Sequence, residues 1–299
     1  MGPLRGATYL HPRGSLHPMR RFALLLAMVV AAVACGGGNE DAATGVDFRE
    51  ALTVVASSPG SLGVGSQRVL MVVASPDGNL LGSPDEETTV RFEIEGEVWD
   101  GVATDWVWGI EGVRGFYVAT FDFPRAGVWS ATISNSGSSA QTSTFQVQED
   151  PVVPEVGESA PPSQTLTAAD APLSEISTDP EPDPRLYEIS IADAVESGQP
   201  SVIVFATPAF CTTAICGPTL EVVKAVAQDH EKVHFIHVEV YENVDDPGGE
   251  LVEVDAIGEW GLLTEPWVFV IDANGVVSAR YEGTVGAAEL EDALDALDA

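Results

Sequence analysis

The sequence predicts two folded parts of different class, an all-β sandwich followed by an α/β part. Three observations carry that expectation. Residues 49–148 alternate apolar and polar side chains with no helical period. A Pro- and acid-rich stretch, 149–184, then breaks the pattern. From Arg185 to the end, continuous apolar strands alternate with helix-period segments. The 299 residues suffice for two domains of ordinary size, and a hydrophobic content of 45% lets both bury cores.

The N-terminus reads as an export signal, residues 1–35. Met19-Arg20-Arg21 precedes the apolar run Phe22–Ala34, which is shorter than the roughly 20 residues of a spanning helix. Met19 is an alternative start to Met1. Arg20-Arg21 lacks the rest of a twin-arginine motif. Ala32-Val33-Ala34-Cys35, followed by Gly36-Gly37-Gly38, resembles a bacterial lipobox, with Ala32 where that motif usually has Leu. The resemblance implies that Cys35 carries lipid and becomes the mature N-terminus, which places the protein at the outer face of the cytoplasmic membrane or in the cell envelope. The alternative is an ordinary signal peptide cut near Ala34, with Cys35 left as a free thiol. A polar tether, 36–48, comes next.

In 49–148, Thr89–Glu95 places Val90, Phe92 and Ile94 on one face. Gly127–Ile133 does the same with Trp129, Ala131 and Ile133. Further strands are expected over 51–56, 67–74, 104–108, 115–121 and 142–147, separated by turn signals such as Ser75-Pro-Asp-Gly78. About seven short strands without helical period predict a β-sandwich. The run from Gly115-Phe-Tyr to Phe123-Pro-Arg-Ala-Gly-Val-Trp129 resembles the late strands of immunoglobulin-like domains. The region holds no His and only scattered acids, so it offers no catalytic constellation. Trp99, Trp106 and Trp108 either line a binding surface or belong to the core. The region reads as a spacer or partner-binding module.

The stretch 149–184 is expected to be extended or loosely docked, because its composition buries little. In 185–299, Tyr187–Ile191 is expected to open with a strand and Ile191–Val195 to form a short helix. Ser201–Phe205 is a continuous apolar strand. The segment Ala206–Pro218 carries Cys211 and Cys216, and a helix comes after it with Leu220, Val223 and Ala227 on one face. Strands are expected at 233–240, 267–272 and 276–281, the last two joined through Ala273-Asn-Gly275. Leu290, Leu294 and Leu297 mark a closing helix.

This β-α-β…β-β-α order, with a cysteine pair between the first long strand and its helix, resembles the thioredoxin superfamily over about 185–298. Thr264-Glu265-Pro266 before strand 267–272, and Phe269-Val-Ile-Asp-Ala-Asn-Gly275, strengthen the resemblance to extracytoplasmic redoxins. It implies that Pro266 is cis and faces a redox-active Cys211–Cys216 pair exchanging electrons with protein thiols and disulfides and with a redox partner protein, with no cofactor. Four residues separate the cysteines where thioredoxins have two, so the turn before the helix must bend or partly unwind for the Cα atoms to approach within disulfide range. Following family order, Cys211 attacks and Cys216 resolves. Aligning Cys216-Gly217-Pro218 with the family's own Cys-Gly-Pro reverses this, with Thr219 in place of the second cysteine. Glu265 is an unusual residue beside a thiolate: either it faces Cys211, where it raises the thiol pKa and can accept a proton from Cys216, or it points to solvent and does neither. Gly217-Pro218 places both cysteines on or just before a helix N-terminus, whose N–H groups favour a thiolate.

Three other readings stay open. The run from Thr207-Pro208 to Cys216-Gly217 is similar to a segment of bacterioferritin-comigratory-type peroxiredoxins, with one residue inserted before Cys211 and Arg280 as the nearby arginine. Copper chaperones on the same fold use two cysteines and a His; here His230, His234 and His237 are available, and His234 and His237 point to opposite faces of their strand. A non-catalytic binding lipoprotein is the remaining alternative. The formal net charge of -33 repels phosphate backbones, so nucleic acid is excluded as a partner.

Overall fold

Strict alternation puts one face of a strand against a core, and strands such as Thr89–Ile94 and Gly127–Ser134 in the first half of the chain follow it. The computed structural model describes residues 45–244 and 251–298. The export signal, Cys35 and residues 36–44 of the tether lie outside the described residues. Nine strands come first: β1 (Leu52–Val55), β2 (Gly65–Ala74), β3 (Leu80–Leu81), β4 (Thr89–Ile94), β5 (Glu97–Ala103), β6 (Asp105–Ile110), β7 (Arg114–Phe123), β8 (Gly127–Ser134) and β9 (Ser143–Val147). One sheet runs β1-β2-β7-β6, with β3 on β2; the other runs β5-β4-β8-β9. Val69, Met71 and Val73 of β2 and Tyr117, Phe121 and Phe123 of β7 meet Val90, Phe92, Trp129 and Ile133 from the facing sheet.

Strand β5 lies outside the strands the alternation predicts, because its burial alternates weakly and Asp100-Gly101 interrupts it. It is held by a hairpin in which Ile94 pairs with Glu97. The two loop residues, Glu95 (φ 50°) and Gly96 (φ 86°), both take the left-handed backbone of a tight hairpin turn. The tryptophans resolve toward packing. Trp99 lies 5.1 Å from Trp129 and Trp106 lies 5.0 Å from Tyr117, ring centre to ring centre.

The Pro-rich stretch forms almost no regular structure beyond α1 (Leu173–Ile176), yet it is docked. Val153, Ala160 and Ile176 are buried in the cores of the C-terminal part. Prolines deny the stretch a hydrogen-bonded ladder, but isolated apolar residues still find cavities to fill. A 3-10 turn (Pro184–Tyr187) leads in where the sequence predicts a strand over 187–191, and α2 (Ile191–Glu196) falls where it predicts a short helix. Asp183 caps the turn by accepting from Arg185 N, and Ser190 caps α2 by accepting from Asp193 N, so capping overrides the weak alternation there.

The remaining elements are β10 (Ser201–Ala206), α3 (Cys216–Val226), β11 (His234–Glu239), α4 (Asp255–Glu259), β12 (Trp267–Ile271), β13 (Val277–Glu282) and α5 (Ala287–Asp295), closed by a 3-10 turn at Ala296–Asp298. The sheet order is β11-β10-β12-β13. Strands β10 and β11 are parallel; β12 is antiparallel to both its neighbours. Helices α3 and α5 cover one face through Leu220, Val223, Leu290 and Leu294. Ile191, Ile257 and Trp260 cover the other. All six residues of β10 are buried, as a strand covered on both faces requires. Helix α4 has no counterpart in the sequence pattern; at five residues it is too short to show a period.

These elements belong to one compact unit. The outer face of the β2–β7 sheet contacts the β13–α5 side. Arg68 Nε donates to Glu289 Oε1 at 2.7 Å, and Ser61 Oγ donates to Glu282 Oε2 at 2.7 Å. Arg280 Nη2 donates to Gln67 Oε1 at 2.7 Å, to the Ser61 carbonyl at 2.8 Å and to the Glu155 carboxylate. Among the described residues no helix is long and apolar enough to cross a membrane.

Candidate redox site

Strand β10 ends at Ala206 with its backbone still buried, and the chain must turn back to enter α3. It does so in two tight steps. Cys211 N donates to the Thr207 carbonyl at 3.0 Å, and Ala214 N to the Cys211 carbonyl at 3.2 Å. Ala214 takes a left-handed backbone (φ 59°), which costs a non-glycine residue on the order of 1 kcal/mol. Helix α3 then starts at Cys216, so Pro218 falls in its first turn, where a missing N–H costs nothing. The bend brings the cysteine Cα atoms to 6.0 Å, and Cys211 and Cys216 form a disulfide.

The two sulfurs stand in different surroundings. Cys216 is fully buried and Cys211 partly exposed. Cys211 Sγ lies 3.2 Å from Thr213 Oγ1. Thr219 is fully buried and its hydroxyl lacks a hydrogen-bond partner. The Glu265–Pro266 peptide is cis. The Glu265 carboxylate and both sulfurs lie within 4.8 Å of one another. Burial, and then the charge of Glu253, push the Glu265 carboxyl above its ordinary value. Burial also raises the phenol of Tyr241, with Glu265 the next cause. The Tyr241 ring meets Phe210 edge-on at 5.9 Å.

Several residues that shape the site carry no signal in the sequence. Ile215, just before Cys216, is buried and packs with Leu70, Val107, Phe116 and Val118 of the sandwich. Arg114 of β7 donates to the Thr213 carbonyl. On the other side, Thr178 Oγ1 accepts from Ala209 N at 3.1 Å, while Glu239 accepts from Thr178 N at 2.8 Å and from Thr178 Oγ1 at 2.7 Å. Asp179 meets Lys224 of α3 at 2.9 Å. The stretch expected to be extended or loosely docked therefore straps the loop. Only the contact partners, far apart in sequence, reveal this.

The histidines stand away from the sulfurs. His237 is buried; its Nε2–H donates to the Ala206 carbonyl at 3.0 Å and its Nδ1 shares a hydrogen bond with the Tyr187 hydroxyl at 2.6 Å. Burial holds its pKa below the ordinary value. His230 Nε2 pairs with Glu291 at 2.7 Å. His234 begins β11 opposite Ser201, at the far end of β10 from the disulfide. Arg280 is taken up by the acceptors of the sandwich and the strap.

No protein-family model matches the sequence, and no curated protein matches it. Among solved structures the chain is similar to MTB dsbF in its mixed oxidized and reduced forms, with 26% identity over 33% of this chain and 81% of that one, at a TM-score of 0.26. It is similar to a thiol:disulfide interchange protein, a thioredoxin family protein from Chlorobium tepidum TLS, with 17% identity over 48% and 95% of the two chains, at a TM-score of 0.30. The filamin domain of Lin-41 shares 12% identity over 36% and 99%, at a TM-score of 0.25.

Proposed function

We propose that the chain is a thiol–disulfide oxidoreductase with a thioredoxin fold in its C-terminal part and an immunoglobulin-like sandwich before it, exported and anchored through lipid on Cys35. The observation that carries the proposal is the asymmetric disulfide: Cys211 reachable in the loop and Cys216 buried at the start of an 11-residue helix, with the Glu265 carboxylate close to both sulfurs. In the reducing direction the Cys211 thiolate attacks one sulfur of a client disulfide. The client's other sulfur leaves as a thiolate. The Cys216 thiol then passes its proton to the Glu265 carboxylate, and its sulfur attacks Cys211 Sγ. The second client thiolate leaves, and the intramolecular disulfide closes. Run backward, the same steps oxidise a client dithiol. The helix N-terminus favours the Cys211 thiolate.

Burial of Cys216 supports Cys211 as the attacking sulfur, and Thr219 then occupies a buried position that needs no thiol. The commitment of Arg280 to Gln67, Ser61 and Glu155 removes the side chain a peroxidase reading relies on. Cys216→Ser should accumulate mixed disulfides through Cys211, because the resolving step is lost. Trapping by Cys211→Ser instead would reverse the order of attack, and trapping by neither would overturn the exchange reading. The potential of the pair sets direction: near about -270 mV the protein reduces its clients, near about -120 mV it oxidises them. Mass spectrometry of the membrane fraction should find a diacylated peptide beginning at Cys35; an unmodified Cys35 in a wholly soluble protein would refute the anchor.

A further inference from the structure

Three potential ligand atoms of unlike chemistry converge at one place: Sγ of Cys211, Sγ of Cys216 and a carboxylate oxygen of Glu265, all within 4.8 Å of one another. We propose that the dithiol form of this protein binds a borderline divalent cation of the Zn2+ class through Cys211, Cys216 and Glu265, so that metal and disulfide are mutually exclusive occupants of the site. The proposal shares all three residues with the exchange reading, but metal binding is no step of that reading.

The geometry suits both states. Zinc–sulfur bonds of about 2.3 Å in a tetrahedron hold two thiolate sulfurs about 3.8 Å apart. Cysteines whose Cα atoms are 6.0 Å apart reach that separation once the S–S bond is broken. The Glu265 carboxylate already faces the pair, so a third bond needs side-chain adjustment rather than refolding. Protein closes the site behind Cys216, which is fully buried, while Cys211 and Glu265 keep partial exposure. A cation there would have three protein ligands and one position open to water, the coordination of reactive rather than purely structural zinc sites.

The donor set also selects among metals. Two thiolates alone suit Cu(I), which gains little from a carboxylate. Two thiolates with a carboxylate suit Zn2+, which accepts both kinds of donor. The histidines that would favour a copper site are held elsewhere, His237 by Tyr187 and the Ala206 carbonyl and His230 by Glu291. Charge points the same way. Two thiolates and a carboxylate place three negative charges together, and among the described residues Glu265 has no ion pair. Arg114, which reaches the same loop, gives its hydrogen bond to the Thr213 carbonyl instead.

The chemistry balances without any change in the metal's oxidation state. A dithiol reductant supplies two electrons and two protons, converting the disulfide to two thiols and becoming a disulfide itself. The divalent cation then displaces two protons from the two thiols and binds the carboxylate. A disulfide oxidant then takes two electrons from the two thiolates and two protons from solvent, becoming two thiols, as the Cys211–Cys216 bond re-forms and the cation leaves. Metal binding is therefore pH-dependent and depends on the redox state of the pair.

The test uses the full chain, reduced with a dithiol that is then removed under exclusion of oxygen. Zn2+ is titrated in competition with a chromophoric chelator, and Cd2+ reports thiolate bonding through its ultraviolet charge-transfer band. One ion per reduced chain is expected, with proton release and a thiolate band, and no such binding to the oxidised chain. Glu265→Ala should weaken Zn2+ binding by at least about tenfold, since even outer-shell partners of zinc ligands are worth 10–100-fold. Glu265→Gln, closer in shape, guards against a folding defect and should weaken binding in the same direction. Equal affinity in wild type and both variants would overturn the three-ligand site, and so would oxidised protein that binds as tightly as reduced. Mixed-disulfide trapping in the same preparations separates the two readings. Trapping without metal binding defeats this inference alone, and metal binding without trapping defeats the exchange reading alone.

Discussion

The two β-rich regions bury apolar surface in opposite ways, and the contrast explains where chemistry can sit. In the sandwich each strand has one inner face. Val90, Phe92 and Ile94 point into an aromatic core, while Arg91 and Glu93 on the other side pair at 2.7 Å. In the second region β10 is covered on both faces, so nothing along its length is reachable and its reactive groups lie beyond its end. The sandwich holds no thiol, yet the outer face of its first sheet is also apolar at Leu70, Val107, Phe116 and Val118, and Ile215 plugs into that patch. The region without chemistry thus forms one wall of the redox loop, and the Thr178–Glu239 strap forms another.

The largest effect should come from breaking the sandwich core itself. Trp129 is fully buried and donates through Nε1 to the Arg125 carbonyl at 3.1 Å. Trp129→Ala should cost about 3–5 kcal/mol in denaturant unfolding. Alkylation of Cys216 in the reduced variant should also quicken, because the wall loosens with the core. A stability loss that leaves Cys216 as protected as before would show that the regions act independently.

Ile215→Ala sharpens the comparison by cutting only the contact. Removing a buried aliphatic side chain costs about 2–5 kcal/mol, and the low end is expected here because the loop can settle into the gap. Cys216 alkylation should rise without loss of the sandwich's aromatic fluorescence signature; an unchanged rate would mean the sandwich face does not hold the loop.

Glu265→Gln acts on the redox side alone, and its effect is smaller because the group is half-exposed. Burial and Glu253 hold the folded carboxyl above its ordinary 4.5. A raised folded pKa gives stability that is present below 4.5 and lost as pH rises through the folded value. Wild type should therefore lose stability relative to Glu265→Gln as pH climbs through the carboxylate range, measured by thermal unfolding on both sides of it. Alkylation of reduced Cys211 should shift to lower apparent pKa in the variant. Parallel stability curves with no shift in alkylation would place the carboxylate outside the site's electrostatics.

The smallest effect marks the baseline. Val113, 78% exposed in the turn between β6 and β7, touches neither core, so Val113→Ser should change stability by no more than about 0.5 kcal/mol.

Much of this is legible in the residues. The faces Val90-Phe92-Ile94 and Trp129-Ala131-Ile133, the buried strand 201–205, the helix after Cys216 and the hairpin around Asn274-Gly275 all arise from local period or turn chemistry. Strand β5 leaves no such trace because Asp100-Gly101 spoils its alternation. The 3-10 turn at Pro184–Tyr187 leaves none because caps, not apolar spacing, define it. Glu265 is marked by its oddity beside Pro266, whereas Glu239 and Thr178 are unmarked because each is ordinary in its own segment.

The division has one physical cause. Whatever depends on neighbours a few residues apart is written locally: alternation, capping, the cysteine spacing, the proline in the first turn of α3. By itself the sequence determined that two cysteines would sit on or just before a helix N-terminus and that a strand buried on both faces would lead into them. Which surfaces meet is a property of packing between segments that carry no common period. Arg114 and Thr213 are 99 residues apart, and Arg280 and Ser61 are 219 apart. Only the tertiary structure decided that the Pro-rich stretch is a strap, that Arg280 serves an interface and that Glu265 turns its carboxylate toward both sulfurs.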